Sequence, residues 1–147
     1  MRSGTRPRAV LLDTCAVIWL ANGDPLNASA VAAIIQAGLA EGIFVSPLSA
    51  WEVGMLSRPR AGRSAGLKFM PDPKTWFARV MAGPGIREAP LSGAIAIDAS
   101  YLPGDAQGDP ADRLLISTAR HLGVPIVTRD RQIIAYAAGG HIDVIRC

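Results

Sequence analysis

Cysteine is scarce in this 147-residue chain, with one at position 15 and one at position 147. They have no CxxC spacing and lie at opposite ends, which argues against a disulfide framework and against a thiolate zinc site; both are expected to be reduced thiols. The two histidines, His121 and His141, have no zinc-like spacing either. Aromatic residues make up only 5%, so a core has to be built from Leu, Ile, Val and Ala. Lysine is almost missing: two of the 15 basic residues are lysines and the rest are arginines, whose planar guanidinium can grip phosphate with two hydrogen bonds. No apolar run approaches the roughly 18 residues needed to cross a bilayer. The basic start, MRSGTRPR, is followed only by AVLL before the first acid, too short for the apolar part of a signal peptide. The expected location is therefore the cytoplasm.

What the chain does have is 50% hydrophobic and 18% charged residues, the composition of a globular protein rather than a disordered one. At this length one domain is expected over residues 1–147, with 1–8 a flexible extension, since no linker, repeat or low-complexity tract interrupts it. The formal charge of +3 and pI near 9.3 suit a polyanionic partner without demanding one.

Short continuous apolar runs alternate with helical patterns. AVLLD (9–13), IFVS (43–46), IREAPL (86–91), PIVT (125–128) and IDVIR (142–146) read as strands, the first two buried on both faces. Between them CAVIWLAN (15–22), 27–42, 47–58, 72–83, 92–102, 110–123 and 130–140 read as helices. Thr14 is the expected cap of the first, Asn27 or Ser29 of the second with Gly42 as its stop, and Pro110 opens the helix that Gly123 ends. RPRAGRSAGLK (58–68) is a loop. The order predicts an α/β fold with a parallel central sheet of about five strands flanked by helices, and ligands at the carboxyl ends of the strands.

That edge is where the acids fall. Asp13 interrupts the otherwise apolar VLLDTCAVIWLAN, where an unpaired carboxylate would be desolvated at a cost of several kcal/mol. Asp130 lies just past PIVT, Glu52 on the helix leaving IFVS, and Asp112 in the first turn of the helix after the Gly/Asp loop. Each has an ordinary structural alternative: Asp130 and Asp109 as helix caps, Asp112 as a partner of the helix dipole, Glu52 as a solvated helix residue. Together on one rim they would repel one another and raise their pKa values unless a divalent cation neutralised them, and hard oxygen donors suit Mg²⁺ or Mn²⁺.

The blocks LLDTCAVIWL, VSPLSAWEVGML and GDPADRLLISTARHLGVPIVTRD resemble the PIN-domain ribonucleases, specifically the VapC toxins of bacterial toxin–antitoxin pairs, in order from about residue 9 to the C-terminus. The resemblance implies a three-layer PIN-like fold and an Mg²⁺- or Mn²⁺-dependent endoribonuclease. By position in these motifs, Asp13, Glu52, Asp112 and Asp130 match the four family acids, with Asp109 left as a cap. It further implies that bound metal polarises the phosphoryl oxygen and lowers the pKa of water, through one ion or through two about 4 Å apart. The family's partners are an RNA substrate, a VapB-type antitoxin that silences the toxin, and a second copy in a homodimer, for which the apolar helices 14–22 and 27–41 offer surfaces unless they are core.

Around the acids, Thr14 and Thr128 are candidates to bond them or the phosphate, and Arg113 to hold RNA, although a salt bridge explains Arg113 as well. Arg58, Arg60 and Arg63 form a candidate basic patch. Trp19, Trp51 and Trp76 read as core or interface, Cys15 as packing, and His121 as a helix-dipole partner. Two other classes compete: a non-catalytic PIN-like module that binds RNA or protein, and a phosphatase of the haloacid-dehalogenase type. The phosphatase chemistry wants a second Asp two residues after the first, where this chain has Cys15.

Overall fold

The computed structural model describes residues 7–59, 66–106 and 108–147; Arg60, Arg63 and most of the 1–8 extension lie outside them. The elements run β1 (Ala9–Leu12), α1 (Thr14–Asn22), α2 (Ala28–Gly38), β2 (Gly42–Val45), α3 (Pro47–Ser57), α4 (Pro73–Met81), β3 (Ile86–Glu88), α5 (Gly93–Ser100), α6 (Pro110–Leu122), β4 (Ile126–Thr128), α7 (Arg131–Ala137) and β5 (Val144–Arg146). The five strands form one sheet in the order β3-β2-β1-β4-β5, every pairing parallel. This is the α/β architecture expected from the alternation of apolar runs and helices.

β1 is the centre of the sheet, and its side chains explain why it reads as an unbroken apolar run. Val10 and Leu12 face a core shared with Ala16, Val17, Ala33 and Ile34 of α1 and α2. Leu11 faces the opposite core, with Leu115, Ile116 and Ala119 of α6 and Ile133 of α7. A strand covered on both faces cannot alternate in polarity. The chain leaves β1 toward β2 and β3 on one side and returns to β4 and β5 on the other. The crevice therefore opens between the carboxyl ends of β1 and β4, at the point where strand order reverses.

Several boundaries differ from expectation, among them β3, which ends at Glu88 and not at 91. The cap of α1 is Asp13, whose carboxylate accepts from the Ala16 amide at 2.7 Å; Thr14 is the first helical residue instead, which frees its hydroxyl. Asn27 is the cap of α2, and that helix ends at Gly38, four residues early. Gly42 opens β2 at φ +124°, a backbone setting nearly restricted to glycine. Among the tryptophans, Trp19 and Trp76 are partly buried against the core, whereas Trp51 is 60% exposed.

Truncating Leu11, fully buried at the sheet centre, is expected to cost about 2–5 kcal/mol in urea denaturation of Leu11→Ala. Trp51→Ala should stay within about 0.5 kcal/mol. Equal losses at the two positions would contradict this assignment of the core.

Candidate functional site

At the β1/β4 crevice the termini of four helices meet. Asp13, Thr14, Cys15, Glu52, Asp112 and Asp130 line one cavity of about 70 Å³, closed by Leu48, Ala111, Leu115 and Ile133. Acids separated by up to 117 positions in the chain are thus neighbours in space. Among the described residues, no Lys, Arg or His lines this cavity. A larger cavity of about 390 Å³ lies between α1 and α4, but Leu20, Val80 and Trp76 make it mainly apolar, with Arg79 on its wall. Chemistry, more than size, singles out the smaller one.

Each acid reaches the rim by a local device. Asp13 follows β1 directly and is 7% exposed. Its Oδ1 caps α1 through Ala16, and its Oδ2 accepts a hydrogen bond from the Thr128 hydroxyl at the end of β4. The Asp130 amide in turn donates to that hydroxyl at 2.9 Å. Asp130 caps α7, its Oδ1 accepting from Gln132 and Ile133 at 2.8 and 3.0 Å. Glu52 rides on α3, which Ser46 caps and Pro47 opens, and its Oε1 accepts from the Thr14 hydroxyl at 2.6 Å. Asp112 stands in the first turn of α6, its amide bonded at 3.0 Å to the capping Asp109.

The electrostatics follow from this packing. Burial raises the pKa of Asp13; the Thr128 and Ala16 hydrogen bonds oppose that rise, and the charges of Asp130 and Glu52 add to it. Asp112 is pushed up to about 7, first by burial and then by Asp109, Asp130, Glu52 and Asp13. Repulsion among four carboxylates with no cation in the wall is the unresolved charge of this structure.

The donor set fits a hard divalent cation: carboxylate oxygens, an excess of negative charge and a small space at a strand edge. Among the described residues, however, no three His, Cys, Asp or Glu groups are already gathered as a metal-holding cluster. Asp13, Glu52 and Asp130 each give an oxygen to a donor of their own neighbourhood.

Several side chains sit differently from expectation. Arg113 is not among the residues lining the cavity; its Nε and Nη1 donate to the carbonyls of Ala99 and Ala106, at 3.0 and 3.4 Å, tying α6 to α5 and its loop. Cys15 is exposed rather than packed. His121 does stand in the last turn of α6, where it meets the helix dipole as expected, and it also pairs with Asp98 at 2.7 Å. Ser49, 1% exposed, lies 3.0 Å from the Thr14 hydroxyl, and sequence reasoning missed it. The signal was available, because Ser49 and Glu52 are three apart on one helix face.

Residues 10–139 match the PIN domain family, and the chain belongs to it; PIN domains are generally nucleases. No curated protein matches the chain by sequence. Its fold resembles that of a chain of VapBC2 from Rickettsia felis, solved bound to a DNA fragment from their promoter, with 14% identity and a TM-score of 0.64 over 94% of this chain and 98% of that one. It also resembles a chain of FitAcB from Neisseria gonorrhoeae, with 17% identity and a TM-score of 0.52 over 92% and 96%.

The raised pKa of Asp112 sets a sign for stability. A carboxyl that holds its proton more tightly when folded stabilises the fold at low pH and loses that contribution as pH rises from the ordinary aspartate value of 3.8 to about 7. Asp13 acts in the same direction. In EDTA, the melting temperature is expected to fall between pH 4.5 and 7.5, and Asp112→Asn should flatten that slope. An unchanged slope in the variant would contradict the assignment.

Proposed function

We propose that the chain is a metal-dependent endoribonuclease of the VapC toxin type, with Asp13, Glu52, Asp112 and Asp130 as the acidic site. The observation that carries this reading is the cavity walled by these four acids and, among the described residues, by no basic side chain. An RNA phosphodiester is itself an anion, so it can approach such a wall only if a cation lies between them.

Mg²⁺ or Mn²⁺ bound here would supply a Lewis acid for the phosphoryl group and a lowered pKa for water. Asp13 and Asp112 are the main donors in this reading, with Glu52 and Asp130 completing the set directly or through water. Thr128 aims Asp13 and opposes the rise that burial imposes on its pKa, because a hydrogen bond to the charged form favours that form. Thr14 aims Glu52 through its hydrogen bond to Oε1, which leaves Oε2 to orient or deprotonate the attacking water. The partners in this reading are an RNA, a VapB-type antitoxin and a second copy of the chain, in the cytoplasm. The antitoxin draws support from VapBC2, a complex of which one chain has a similar fold. No described helix is long and apolar enough to cross a membrane.

Purified protein is expected to cleave RNA with Mg²⁺ or Mn²⁺ and to stop in EDTA. Asp13→Ala and Asp112→Ala should each lower the rate by more than about 100-fold while remaining folded by circular dichroism. Cleavage that persists in EDTA or in both variants would refute the reading. Metal-independent RNA binding without cleavage would favour a non-catalytic module.

A further inference from the structure

We propose that Ser49 is a positioning residue that acts on Glu52 through Thr14. The inference rests on the nuclease reading for its consequence, but not for its geometry.

The direction of the hydrogen bonds follows from counting protons. The Thr14 hydroxyl has one proton and donates to Glu52 Oε1, a carboxyl oxygen, at 2.6 Å. That proton therefore goes to Glu52. The Ser49 hydroxyl lies 3.0 Å from Thr14 Oγ1, and since Thr14 has no proton left to give, Ser49 must be the donor. The result is a one-way chain, Ser49 to Thr14 to Glu52, buried at its first member and open to the cavity at its last. Hydrogen bonds in series polarise one another, so a donor behind Thr14 strengthens its grip on the carboxylate.

A second chain across the cavity has the same form. There the Asp130 amide donates to Thr128, and Thr128 donates to Asp13. In both, a threonine next to or near an acid in sequence serves an acid distant in sequence, with a fixed donor behind it. In the Thr128 chain that donor is backbone and cannot be mutated away. In the Thr14 chain it is Ser49, which makes its contribution measurable. Ser49 lies inside α3 and alanine is the best helix former, so an alanine at position 49 keeps the helix and removes the donor.

Two measurements test this. In the metal-free protein, the buried Thr14 hydroxyl proton is expected to exchange slowly enough to give a downfield NMR resonance with a cross-peak to Ser49; in Ser49→Ala it should move upfield by several tenths of a ppm. A resonance unmoved by that substitution would overturn the proposal, whatever the protein's activity. In RNA cleavage, Ser49→Ala should lower kcat about tenfold with KM for RNA unchanged, but less than twofold when made in a Glu52→Gln background. Equal losses in both backgrounds would show a merely structural role and also overturn it; Ser49→Cys, a weaker donor of similar size, should fall between. A wild-type chain that cleaves no RNA would refute the nuclease reading instead, and the hydroxyl resonance alone would then decide whether the Ser49 chain exists.

Discussion

The hydrogen bond between Thr128 and Asp13 is the contact on which the rest of the site depends. It joins the ends of β1 and β4, the two strands between which the sheet changes direction. It also answers the problem of a carboxylate set inside an apolar run. A buried charge without partners costs several kcal/mol; Asp13 has a helix amide on one oxygen and a hydroxyl on the other. Burial still prevails in the direction of its pKa, because Asp130 and Glu52 add their own repulsion. The fold holds its first acid in place without fully neutralising it.

The other acids repeat the pattern with different donors. Asp130 uses the amides at the start of α7, and Glu52 uses Thr14. Asp112 is the one driven to about 7. A sequence optimised for stability alone would not gather four carboxylates around a cavity without a basic side chain; such local conflict is characteristic of functional sites. On the proposed function, the conflict is resolved by a cation arriving with or before the phosphate.

Much of this was legible in the sequence. β1 and β2 announce themselves because strands covered on both faces must be continuously apolar. α6 does so because Asp109, Pro110 and Gly123 occupy cap, first-turn and stop positions with well-defined backbone needs. The four acids could be placed on one rim because a parallel sheet sends every strand's carboxyl end to the same edge. What stayed hidden was the wiring between elements. Whether Asp13 or Thr14 caps α1 is a choice of one residue, and both can serve as caps; the hydroxyl left over, and hence its bonds to Glu52 and Ser49, depends on that choice. Arg113 stands beside an acid in sequence, yet its Nε and Nη1 reach carbonyls of α5 and of the loop that only packing brings near. The exposure of Cys15 likewise follows from the opening of the cavity and not from any pattern in the chain.

The central claim is that Asp13, Glu52, Asp112 and Asp130 share a cation. Crystals of the protein soaked in Mn²⁺ and measured at the manganese edge test it most directly. The account predicts an anomalous peak in the acidic cavity, about 2.2 Å from an oxygen of Asp13 and of Asp112, absent in Asp13→Asn. Manganese bound only at other positions, or an empty cavity at saturating Mn²⁺, would contradict it.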